Sequence, residues 1–251
     1  MPEPAAEDWR ERLLEAGEEE LGRLLEERRS ELDTPAARAA FRNPFLTRQM
    51  IERLLELPRL VSAYEVRRAA AFHPRTPRTD ALRCVAGLYW ADLLRLGVDT
   101  RVHPVVRRSA DLRLVERLPG LAIGEKMAIA RGASPAVLGT LRHDPTPRVI
   151  AALLENPRLT EGLLVPLAAS EHAQPAVLAV LAASARWAAR HPVRLALCRN
   201  PRTPLGSVLP LLPHLLKQDL EAVASDGRLL LPVRRRAQLL AGGGESRSRR
   251  A

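Results

Sequence analysis

The chain has 251 residues, 46% of them apolar and only 3% aromatic, with 39 arginines and lysines against 29 acids. That length supports a substantial core of Leu, Ala and Val, while so few aromatics argue against extensive base stacking. The longest apolar run, Ala176 to Ala183, is far short of a bilayer span and no charged-then-apolar leader follows Met1, so no membrane is expected.

Charge divides the chain more sharply than its total suggests. Residues 1–33 carry twelve acids and five bases, and the remaining 218 residues carry 34 bases and 17 acids. Only Lys126 and Lys217 are lysine, so the basic excess is arginine, as in a GC-rich coding bias. Cys84 and Cys198 match no metal-ligand spacing and fit a reducing, cytoplasmic setting.

From Ala5 to Leu32 the apolar residues Trp9, Leu13, Ala16, Leu21, Leu24, Leu25 and Leu32 follow a helical period, with Gly17 and Gly22 weakening its middle. Residues 1–33 are expected to form an acidic amphipathic cap; the alternative is a detachable arm that competes with an anionic ligand. Short helices are then predicted over Thr34–Phe41, Thr47–Leu57 and Tyr64–Phe72, followed by one unusually long helix over Thr76–Arg95. His103-Pro104 opens another unit, and Leu118 to Ala130 leads into short helices beginning at Pro135, Pro147, Glu161, Pro175, Pro192 and Pro204. The segment Ala176–Ala189, apolar on most sides, is expected to lie centrally. Lys217–Ala224 and Leu231–Leu240 close residues 34–241, and residues 242–251, with Arg247, Arg249 and Arg250, read as a disordered basic tail.

An internal repeat emerges when the chain is aligned on Pro44, Pro74, Pro157 and Pro201. Asn43, His73, Asn156 and Asn200 precede these prolines; Ala39, Ala69, Ala152 and Ala196 stand five residues before them; Ala36, Val66, Val149 and Val193 stand eight before. A fainter copy anchors on Pro135. Proline lacks an N–H and excludes the helical region for its predecessor, so each X-Pro ends a helix. The following Thr or Ser is then expected to cap the next helix, as at Thr34, Thr76, Ser134, Thr146 and Thr203, each followed by Pro. The recurrent alanine is expected where two helices cross closely.

The pattern Val-Arg-x-x-Ala followed by Asn-Pro-x-Thr-Pro, clearest in Val193-Arg194-Leu195-Ala196 and Asn200-Pro201-Arg202-Thr203-Pro204, resembles the bacterial leucine-rich-repeat-variant and HEAT-like families. The resemblance covers roughly residues 34–241. It departs where Ile150 follows Val149 and where Ala36-Ala37 replaces Val-Arg; no Cys precedes Cys84, so the iron–sulfur cluster of some leucine-rich-variant proteins is not implied. The resemblance implies an all-α fold, a right-handed α-solenoid of short helices. It also implies that Arg67 and Arg194 bond a carbonyl or acid of a neighbouring unit.

No phosphate-cradling glycine loop, zinc-protease or nucleophile-elbow motif is present, and the six histidines are scattered. Hence no catalytic residue, cofactor or metal is assigned. Arg68, Arg108, Arg235 and Arg236 recur near helix starts and are the candidates for a basic ridge. The expected function is a non-enzymatic scaffold that binds a protein or peptide on its concave face. The alternative is a nucleic-acid-binding solenoid, at its extreme an alkylpurine DNA glycosylase-like enzyme using Asp92 with Trp90 or Trp187. Oligomeric state is left open.

Overall fold

The computed structural model describes residues 5–242, with side chains from residue 9 onward; Gly242, expected to open the tail, ends the last helix, and the rest of the expected tail lies outside the described residues. The described residues hold nineteen α-helices and two 3-10 turns joined by short connections, with no strand among them. The helices Thr34–Ala40, Tyr64–Phe72, Pro147–Leu154 and His191–Arg199 each end two to four residues before Pro44, Pro74, Pro157 and Pro201. Helices this short are marginal alone and gain stability by burying one face on a neighbour. Val66, Val149 and Val193 are fully buried for that reason, as is Ala36.

The helix starts differ from expectation. Ser134 does cap, accepting a bond from the Val137 N–H. Asp33, not Thr34, caps Thr34–Ala40 by accepting from the Ala36 N–H. Thr76 and Thr203 lie one residue too early, since the helices begin at Arg78 and Leu205, and both hydroxyls are buried without a partner. Thr146 holds the N-cap position but its side chain bonds Asp144 and caps no helical N–H.

The long helix expected over Thr76–Arg95 is two helices, Arg78–Val85 and Trp90–Val98. Between them the Tyr89 N–H leaves the helical ladder and donates to the Tyr64 hydroxyl at 3.2 Å. Leu88 turns fully into the core, and the Arg67 guanidinium lies so close over Gly87 that a Cβ there would stand 3.0 Å from it. Ala176–Ala189 also breaks, at Ser184, and although Pro175–Ala183 packs on four helices, Ala176, Ala183 and Ala185 face solvent, so one side of the segment is exposed.

Contacts divide the chain into two compact units, one ending at Pro119 and the other beginning at Gly120. In the first, Ala5–Glu15 packs on Thr34–Ala40, which packs on Tyr64–Phe72, and Trp90–Val98 packs on Pro104–Arg117. Trp9, Leu13, Leu21, Leu24 and Leu25 are all buried, so the acidic N-terminal helices belong to this unit's core. In the second, Ile123–Gly132 packs on Pro147–Leu154, Glu161–Ala169 on His191–Arg199, and Lys217–Ser225 on Leu231–Gly242.

The repeat asparagines do more than end helices. Asn43 donates to the carbonyls of Leu13 and Ala16, Asn156 to those of Ala130 and Ala133, and Asn200 to those of Ala168 and Ser170, at 2.7 to 3.2 Å. These carbonyls end the preceding stacked helix, where no intrahelical donor remains. Each asparagine oxygen accepts the N–H two residues on, from Phe45, Arg158 or Arg202. All three side chains are at most 3% exposed. Sequence reading assigned them only a stop; the amide makes them staples between helices.

Candidate binding clefts

The turn after each stop carries a second, less visible device. A side-chain acceptor takes the N–H two residues on not only at the asparagines but at His73, Asp99, Ser170 and Asp226. Such a turn reverses the chain without proline, and an arginine two residues on can then reach out of it. Arg101 returns to Asp99 at 2.7 Å and Arg228 to Asp226 at 2.9 Å. Arg228 holds the Asp226 carboxyl down at about 2, mainly through these bonds, and Arg101 likewise lowers Asp99.

These correspondences share one spacing. Arg75 donates to the Leu46 carbonyl and Arg202 to that of Ala173; Tyr64 meets Asp92 at 2.5 Å and His191 meets Asp219 at 3.2 Å. Every such pair of positions is 127 residues apart. In sequence, 18 of the 47 positions from Val66 to Leu112 are identical with Val193 to Leu239 without a gap, so the second unit repeats the first in register. The proline alignment holds this spacing only between Pro74 and Pro201, since Pro44 matches Glu171 and Pro157 matches Ser30 at the same offset.

An open cleft lies beside the stop in each unit, about 390 Å³ in the first and about 450 Å³ in the second. Nine of the ten residues lining each occupy equivalent positions. Ala69 and Ala196 are half-buried in the clefts, so the repeat alanine at these two positions leaves an opening, whereas Ala152 is buried as expected of a helix crossing. Pro74 and Pro201, and Arg101 and Arg228, form equivalent walls. The rest of the lining differs: Arg38, Arg42, Glu65, Arg68, Phe72 and His73 in the first become Val165, Ala169, Pro192, Leu195, Arg199 and Asn200 in the second.

Of the arginines picked out from sequence, Arg194 donates to the carbonyls of Ala188, Ala189 and His214, as expected of the first arginine of its motif. Arg234 does the same to Ala224. Arg67 instead leaves its Nε buried and unpartnered over Gly87. Arg68, expected on a free ridge, is tied to Asp92 at 2.9 Å and lies 5.8 Å from the Phe72 ring centroid. Arg108, Arg235 and Arg236 are exposed, and their side chains carry no ion pair or hydrogen bond among the described residues.

The remaining polar groups are occupied in packing. Asp92 is only 8% exposed and accepts from Tyr64 as well as Arg68. Trp187 is buried and donates to the Leu154 carbonyl at 3.0 Å. Burial raises the Cys84 thiol to about 11 and the Cys198 thiol to about 12, which keeps both protonated at neutral pH. Burial, aided by the Arg75 charge, lowers the pKa of His73. Among the described residues no three His, Cys, Asp or Glu are grouped to hold a metal, and no helix is long and apolar enough to cross a membrane. Comparison with known proteins found no matching family model, no matching curated protein and no matching solved structure.

Proposed function

We propose that the chain is a non-enzymatic repeat scaffold that binds a protein or peptide partner through the clefts beside its helix stops. The observation that carries this reading is recurrence: the same opening, at the same positions, in both units of a duplicated chain. Packing tends to fill gaps in a core, and an unfilled cleft kept at two equivalent places suits a side chain supplied from outside. Right-handed α-solenoid stacking of the HEAT-like or leucine-rich-variant kind, and a cytoplasmic location suited to two buried free thiols, belong to the same proposal.

The test is to pan a random dodecapeptide display library against the full chain. Enriched peptides are expected to lose at least tenfold in affinity when Ala69→Arg and Ala196→Arg fill both clefts of a protein that keeps its helical circular dichroism. Enriched peptides that bind the filled variant as well as the parent would overturn the reading.

A nucleic-acid reading has one specific observation in its favour, the exposure of Arg108, Arg235 and Arg236 with no side-chain partner among the described residues. It predicts duplex binding that falls steeply with salt and is lost on Arg108→Glu with Arg235→Glu. Its glycosylase extreme needs a free Asp92, whereas that carboxylate already serves Tyr64 and Arg68, and Asp219 repeats its position beside His191.

A further inference from the structure

The cleft of the first unit is basic in a way that the fold does not require. Arg38 and Arg42 line it four residues apart at the end of Thr34–Ala40 and just beyond it, and neither side chain makes an ion pair or a hydrogen bond among the described residues. Like charges at that spacing repel across one helical turn. A helix C-terminus does favour a cation, which offers a purely structural reason for them. The duplicate argues against that reason: the helix Glu161–Ala169 ends on Val165 and Ala169 at the same two positions. The scaffold therefore folds with either pair.

We infer that the first cleft takes an acidic peptide segment, one carboxylate on the Arg38 and Arg42 guanidinium groups and an apolar neighbour against Phe72. This deepens the peptide-binding reading and rests on it. Guanidinium forks suit carboxylates bidentately. Phe72 supplies a half-exposed flat surface beside them, already approached by Arg68. The charge balance sets the size of the ligand. Arg68 is neutralised by Asp92 and Arg101 by Asp99, and Glu65 lines the same opening, so the net field suits one or two carboxylates better than a polyphosphate chain. The second cleft, with Val165, Ala169 and Leu195, lacks this pair of cations and does not select for acid.

The probe is a fluorescein-labelled dodecapeptide of alternating glutamate and leucine, with twins carrying glutamine or phosphoserine in place of glutamate, and a labelled dodecathymidylate. Fluorescence anisotropy with the full chain is expected to show the glutamate peptide binding at least tenfold more tightly than the glutamine twin and the oligonucleotide. The double substitution Arg38→Val and Arg42→Ala, which imports the second unit's own residues, should remove that preference. Arg235→Ala should leave it intact. Equal binding of the glutamine twin, or a preference surviving the double substitution, overturns the inference. So does tenfold tighter binding of the phosphoserine twin or of the oligonucleotide. Library peptides that depend on Ala69 yet show no acidic enrichment would sink this inference alone, leaving the peptide-binding reading in place.

Discussion

The first unit's cleft and the second's are the same opening with different chemistry. Both sit beside an X-Pro stop, with the repeat alanine in the lining and an arginine of the next turn as a wall. One is lined by Arg38, Arg42, Arg68 and Phe72, the other by Val165, Ala169, Leu195 and Arg199. Positions that are retained across the duplication, such as Val66 and Val193 or Asp99 and Asp226, are explained by packing and turn geometry. Of those that diverge, the exposed pair Arg38 and Arg42, replaced by Val165 and Ala169, has no side-chain bond to the fold among the described residues and is available to a ligand. Internal duplication thus separates structural residues from adaptable ones without any second protein to compare.

The largest expected effect breaks the comparison at the stop itself. Asn200 makes three hydrogen bonds from a buried position, donating to the carbonyls of Ala168 and Ser170, the second of which also takes the Ala173 N–H, and accepting from the Arg202 N–H. Its counterpart His73 accepts one, from the Arg75 N–H, and is half-buried. Replacing Asn200 by Leu strands the Ala168 carbonyl and the Arg202 N–H, while the Ser170 carbonyl keeps the Ala173 N–H, and should cost about 3–4 kcal/mol in urea unfolding, whereas His73→Leu should cost about 1–2 kcal/mol. Equal costs would mean that the asparagine acts only as a helix stop.

Much of this was legible before any coordinates. The proline alignment located the stops and the buried valines, because an X-Pro boundary acts locally through one missing N–H and one steric clash. The starts at Pro135, Pro147, Glu161 and Pro175 were legible for similar reasons. Thr76 and Thr203 were misread as caps because a Thr-Pro pair does not fix which residue enters the helix first. The break between Val85 and Trp90 was hidden because its cause, Tyr64, lies 25 residues earlier in sequence than Tyr89. The clefts were invisible for a related reason: an opening at Ala69 or Ala196 depends on what neighbouring helices leave unfilled. The pairing of Arg68 with Asp92 is equally nonlocal, and it removed one member of the expected ridge.

A second effect belongs to the second unit alone. Lys126 pairs with Asp144 at 3.1 Å, and both side chains are largely buried. Burial pushes the Asp144 carboxyl up, but bonds from Thr146 and from Lys126 outweigh it, so its pKa lies below the ordinary value. A carboxyl lowered in this way stabilises the fold above its unfolded pKa of about 3.9 and loses that contribution as pH falls through the lower folded value. Lys126→Met should cost about 2–3 kcal/mol at pH 7, since the Thr146 bonds remain while a buried charge loses its partner. With burial less opposed, the carboxyl protonates more readily, so the gap in urea midpoint between parent and variant should narrow toward pH 3. A gap constant from pH 7 to pH 3 would place the effect in packing of the lysine stem.

A smaller effect tests the equivalence of the two turns. Arg75 donates to the carbonyls of Pro44 and Leu46, both at 2.9 Å, while Arg202 reaches only that of Ala173, at 3.2 Å. Both arginines are exposed, so each bond is partly replaceable by water. Arg75→Ala should cost about 1–1.5 kcal/mol and Arg202→Ala about 0.5–1 kcal/mol. The reverse order in urea unfolding would show that the geometry of these bonds does not govern their contribution.

The smallest expected effect carries the most about function. Substituting Arg38 by Val and Arg42 by Ala removes two exposed cations without breaking any side-chain ion pair or hydrogen bond among the described residues. Three small contributions compete. Relief of repulsion at i,i+4 favours the variant by about 0.2–0.5 kcal/mol, and loss of a cation near a helix C-terminus disfavours it by about 0.3–1 kcal/mol. Valine's lower helix propensity disfavours it slightly more. The net should stay within about 1 kcal/mol of the parent at low salt and move toward zero in 0.5 M salt, which screens the first two. A loss beyond about 2 kcal/mol would mean that the arginines hold the first unit together through contacts the second unit replaces by burial. The divergence of the clefts would then be structural, and the acidic-peptide assignment would lose its foundation. A near-neutral melt together with lost peptide preference is the combination that only a ligand-directed pair of arginines produces.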